Sequence, residues 1–147
     1  MPSSHTLATI PGPPCPGPAP EIKAHAAVYG LELPTKDSVV EVKIKFAGNT
    51  MMDVEFDDRK FTGSHYGHLC RAQVRPDKVT IMDEREGSQN EAVKELQKDP
   101  AKKSEVARLM AGRSAGFPVK LEAGKGHTLV VETVGDEMRV TIDDPRH

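Results

Sequence analysis

The chain predicts an all-β fold, a two-sheet antiparallel sandwich with a helical insertion near residues 88–112. Three observations carry this. Apolar and polar residues alternate with period 2 in short runs separated by turn sequences, the pattern of half-buried strands. One stretch, Ser88 to Gly112, breaks that rhythm with helical spacing and helix-start signals. The length of 147 residues suits one buried core and is too short for two ordinary domains. The division expected is a proline-rich flexible arm over 1–23 and one sandwich domain over 24–147.

Residues 8–20 hold six prolines, which remove backbone donors and fix φ, so the arm is expected to stay extended and out of any ladder. Ala24 to Leu33 is weakly apolar and ends at Pro34, suiting a first or edge strand. Ser38 to Phe46 points Val40, Val42, Ile44 and Phe46 one way and Glu41, Lys43 and Lys45 the other. Gly48-Asn49 then turns the chain into Thr50 to Asp57. There Met52, Val54 and Phe56 oppose Met51, Asp53, Glu55 and Asp57, and the two runs are expected to form a hairpin. His68 to Val74 and Val79 to Met82 follow as strands, joined by Arg75-Pro76-Asp77-Lys78, a type I turn sequence.

Ser88 with Glu91 has capping-box spacing ahead of a short helix with Val93 and Leu96 on one side. Asp99-Pro100 starts a second helix, whose stripe of Val106, Leu109 and Met110 stops at Gly112. A strand over Phe117 to Ala123 is expected next. The end of the chain is the plainest element: Gly126 to Val134 and Glu137 to Asp143 alternate on either side of Gly135-Asp136, a two-residue loop able to supply the positive φ of a primed hairpin turn.

Composition narrows the function classes. With 20 basic and 22 acidic residues the formal charge is −2, so no field of one sign favours nucleic acid or an anionic membrane. No apolar run approaches the ~18 residues that signal a membrane span. Met1 to His5 lacks a basic and an apolar segment, so no signal peptide is read. Cys15 and Cys70 allow one disulfide at most; a buried free Cys70 is the simpler expectation. Neither has a CxxC neighbour or a histidine at zinc spacing, so no metal motif is present. Four Phe, two Tyr and no Trp leave few rings on which a sugar could stack. None of the glycines lies at phosphate-cradling spacing before a helix.

Two segments carry a family resemblance. Gly124, His127, Leu129, Val131, Glu132, Gly135, Asp136, Val140 and Asp143 match the G-x-W-H-T-L-x-V-E-x-x-G-D-x-x-x-V-x-I-D segment of the 3-keto-disaccharide hydrolase domains. Gly126 stands where that family often has tryptophan. Gly67, His68, Arg71, Pro76, Asp77, Val79, Ile81 and Asp83 fit its G-H-x-x-R-x-x-x-x-P-D-x-V-x-I-x-D pattern. The chain thus resembles this family over roughly 24–144. The resemblance implies a concanavalin A-like jelly roll, a carbohydrate-associated role in binding or hydrolysing glycans, and a secreted or periplasmic location. It also implies further strands after the position of Asp143.

Candidate site residues follow. Alternation puts Asp53, Glu55 and Asp57 on one strand face about 6.5–7 Å apart step to step. Paired carboxylates at about 5–5.5 Å serve retaining glycoside hydrolysis, so these three are the candidate catalytic residues. The strand is loosely similar to the E-x-D-x-E strand of sandwich-fold β-glucanases, which have glutamates at both ends and a tryptophan-rich cleft, features this chain lacks. A solvated acidic face explains the same residues with less and could hold a cation such as calcium, although no calcium motif is present. His65, His68, Arg71 and His127 are the candidate substrate-binding residues. A histidine at a strand start more simply bonds a neighbouring backbone or carboxylate group, and Arg71 pairs with an acid across the sheet. The rival function, from another class, is a non-catalytic structural or protein-interaction module.

Overall fold

Two four-stranded sheets enclose one core in the computed structural model, which describes residues 6–8 (backbone alone), 30, 32, 36–47 and 51–146. The first sheet has the order β1-β2-β7-β8, from Thr6–Ala8, Ser38–Lys45, Gly126–Val134 and Glu137–Ile142. The second runs β3-β4-β5-β6, from Met52–Asp57, His68–Val74, Lys78–Asp83 and Ser114–Pro118. Neighbours are antiparallel except β1 and β2, which pair in parallel. Helices α1 (Glu91–Gln97) and α2 (Lys103–Met110) lie between β5 and β6 in the chain, so the insertion falls where the sequence places it.

Alternation decides the core. Val40, Val42 and Ile44 of β2 and Leu129 and Val131 of β7 meet Val54, Ala72, Val74 and Val79 of the other sheet. Leu129, Val131, Ala72, Val74 and Val79 are fully buried. Burying each valine or leucine contributes about 1.5–3 kcal/mol, so these five dominate the packing. The terminal hairpin forms as its alternation requires: Leu129 faces Ile142, Val131 faces Val140, and Gly135 sits at φ +56° in the two-residue turn.

Several expectations are corrected. The runs ending at Phe46 and beginning at Thr50 do not form a hairpin. β2 pairs β7 while β3 pairs β4, so the chain crosses between sheets here. Each strand has one apolar face, and placing the two faces opposite each other across the core buries both, which a hairpin in one sheet does with no advantage over the crossing. Thr6–Ala8, inside the expected arm, is a strand of the first sheet. Most of the strand expected over Ala24 to Leu33 lies outside the described residues. The strand expected over Phe117 to Ala123 is instead β6, ending at Pro118, whose missing N–H stops the ladder. Asn90, not Ser88, caps α1, its side chain accepting from Val93 N at 3.1 Å. Asp99 caps the turn Pro100–Lys102 as expected, accepting from Ala101 N at 2.9 Å. The stripe of Val106, Leu109 and Met110 is not buried, and Leu109 is exposed. No helix among the described residues is long and apolar enough to cross a membrane.

A candidate carboxylate and histidine site on the second sheet

The inward residues of β3, β4 and β5 commit their alternate neighbours to the outer face. Glu55 stands opposite Arg71, and Arg71 opposite Met82. Regular pairing is broken at the start of β4: Phe56 faces Cys70 and Asp57 faces His68, leaving Leu69 without a partner. Such an extra residue re-aims a side chain. Here it turns His68 onto the acidic face, with Nδ1 2.6 Å from Glu55 Oε1 and 2.7 Å from Asp57 Oδ1.

The chain then leaves β5 through a wide turn, Glu84–Ser88, that lies against β4. Glu84 is fully buried there. One donor atom from each of Glu55, His68 and Glu84 lies within 4.8 Å of the others. Arg71 Nη2 stands 3.1 Å from Glu84 Oε1, close enough for an ion pair but without hydrogen-bond geometry, so no N–H donor hydrogen-bonds either Glu84 oxygen and the Glu55 carboxyl is its side-chain neighbour. The guanidinium is shared: Nη1 donates to Asp53 Oδ2 at 3.3 Å and Nη2 to Met82 Sδ at 3.3 Å. Burial, and then the neighbouring Glu55 carboxyl, push the Glu84 carboxyl up to about 7, while Arg71 pulls the other way. Burial likewise pushes the free Cys70 thiol up to about 11, with Asp83 and Glu84 adding to it. A thiol held that high is a poor nucleophile at neutral pH.

Beside this cluster is a groove of about 560 Å³ lined by Asp57, Arg59, Phe61, Thr62, Ser64, Tyr66 and Gly67. Its wall is tied down by backbone bonds from His65 N to Gln89 O at 2.8 Å and from Glu91 N to Gly63 O at 3.0 Å. Gly67 is required: at φ +77° a Cβ would lie 2.1 Å from the carbonyl oxygen of Asp58. Tyr66 holds a left-handed backbone, φ 51°, and the residue is 79% exposed.

Of the seven residues singled out from the sequence, Asp53, Glu55, Asp57, His68 and Arg71 meet on this face. His65 stands next to it, its ring 6.0 Å from that of His68 and exposed. His127 lies elsewhere, on β7, where alternation directs it inward opposite Ile44. It is 5% exposed, with Nδ1 2.6 Å from Asp143 Oδ2. Thr128 N donates to Asp143 Oδ1 at 2.9 Å, and Asp143 N returns a bond to Thr128 O at 2.8 Å. The bond from His127, and then that from Thr128, hold the Asp143 carboxyl below its usual value. This is a lock on the open end of the β7–β8 hairpin, reached by no other member of the site.

Glu84 is the residue that sequence reasoning missed. It sits in Asp83-Glu84-Arg85-Glu86, which reads as a polar loop. Continuing the alternation of β5 from Met82 to Glu84 would have placed it on the face that carries Arg71. In comparisons with protein-family models, with curated proteins and with solved structures, nothing matches this chain.

Proposed function

We propose that this sandwich, of concanavalin A-like jelly-roll type and akin to the 3-keto-disaccharide hydrolase domains, is a carbohydrate-associated domain that binds sugar in the groove beside Tyr66. The observation that carries the reading is Tyr66 itself. Tyr66 is an exposed aromatic on left-handed backbone, a conformation that costs energy and that here holds the ring out at the groove. Its ring offers an apolar face to a sugar ring, while Asp57, Arg59 and Thr62 offer hydroxyl-binding groups in the same groove. Asp57 lines the groove and shares the His68 imidazole with Glu55, which makes these two carboxyls the pair to test as acid and base.

A glycan-array screen on the purified chain, run with and without calcium and alongside a melting curve, tests this. Binding that is lost in Tyr66→Ala with an unchanged melting temperature supports the groove. Release of new reducing ends from the bound glycan, abolished by Asp57→Asn, extends the reading to hydrolysis. A cooperative melt with no glycan bound overturns it in favour of a structural or protein-interaction module.

A further inference from the structure

We propose that Glu55, His68 and Glu84 form a binding site for a divalent transition ion, of which zinc is the reference probe. Three observations carry this, and none depends on the carbohydrate reading. The first is convergence. Donor atoms from β3, β4 and the turn after β5 lie within 4.8 Å of one another. Ligands bound at about 2.0–2.2 Å can stand about 4 Å apart across an ion, so small side-chain rotations bring all three onto one centre.

The second is incomplete satisfaction. Buried polar side chains normally have partners. Here the fully buried Glu84 is hydrogen-bonded by no N–H donor and is met only by the Arg71 ion pair and the Glu55 carboxyl, while Asp53 Oδ1 and Arg71 Nε on the same face lack hydrogen-bond partners. Under-satisfied groups gathered at one place call for a species that can be bonded from several sides at once. The third is charge. Asp53, Glu55, Asp57 and Glu84 face Arg71, the one guanidinium that touches the cluster among the described residues, and it already divides itself between Asp53, Glu84 and Met82. A second cation offsets the repulsion that remains.

The donor set selects the ion. An imidazole nitrogen with two carboxylates suits zinc, manganese or another first-row ion better than calcium or magnesium, which take oxygen alone. Asp57, 2.7 Å from the same His68 nitrogen, is the next carboxylate in reach and also lines the groove. Glu55 and His68 keep 28% and 19% of their side-chain surface exposed, which gives an ion a way in.

The test is calorimetric titration of the full chain, stripped with chelator, with zinc, manganese and calcium, followed by melting curves with and without saturating zinc. One zinc per chain and a raised melting temperature are expected. Glu84→Gln and Glu55→Gln should weaken binding by on the order of a hundredfold or abolish it. Glu132→Gln, on the other sheet, should leave it unchanged. Zinc binding retained in Glu84→Gln overturns the assignment, as does calcium binding in preference to zinc. Absence of saturable binding to a folded, cooperatively melting wild-type chain overturns it as well. Should a single variant fail to melt cooperatively, the other glutamate variant and the wild-type choice between zinc and calcium still decide the matter.

Discussion

Two histidines of this chain bond carboxylates through Nδ1 at nearly the same distance, and their surroundings could hardly differ more. His127 meets one carboxylate, Asp143, which is itself held by the backbone N–H of Thr128. His68 meets two, with a third, Glu84, buried close by and hydrogen-bonded by no N–H donor. At the first site one acid meets one imidazole, whose buried Nε2 has no hydrogen-bond partner; at the second, acids outnumber their partners. A matched pair fastens a hairpin, whereas an acid buried beside other acids is costly to folding.

The contrast sharpens through mutation. The largest effect belongs to neither histidine: Val54→Asp should cost about 3–5 kcal/mol in denaturant unfolding, since it buries an unpaired charge in the shared core, while Glu55→Gln one residue along should barely move the midpoint. A stable Val54→Asp variant would break the register on which both faces depend. His127→Ala should cost about 2–3 kcal/mol through lost packing and a lost charged hydrogen bond, with zinc and glycan binding unaffected. Glu84→Gln should act in the opposite direction and raise stability of the metal-free chain at pH 8 by on the order of 1–2 kcal/mol. A loss of stability there would make Glu84 a structural partner like Asp143.

The smallest effects lie in pH dependence, where the two sites again differ in sign. Glu84 keeps its proton up to about 7 in the folded chain and loses it near 4.5 when unfolded. Between those values the folded state binds more protons, so this group makes metal-free stability fall as pH rises. Asp143 is depressed, so its contribution is present above the ordinary carboxylate range and is lost as pH falls through its folded value. Melting curves from pH 3 to 8 on wild type, Glu84→Gln and Asp143→Asn separate the two slopes. A Glu84→Gln variant with the wild-type slope above pH 5 would refute the account of Glu84.

Much of this was legible in the chain itself. Alternation fixed which face of each strand is apolar, because a side chain's face depends only on parity along its own strand. Hence Asp53, Glu55 and Asp57 were seen to share a face, and the two-residue loop at Gly135-Asp136 gave the terminal hairpin its register. What parity cannot supply is which strand lies beside which. The pairing of β2 with β7 rather than β3 rests on contacts between residues some ninety positions apart in the chain, to which no local pattern is sensitive. The same limit hid the site. His68 reached the acidic face through an irregularity at Leu69, and Glu84 through a turn folded back over β4. Sequence by itself determined the apolar and acidic faces, a matter of local geometry; only the tertiary structure decided that one histidine closes a hairpin and the other joins three carboxylates, because that depends on distances between strands.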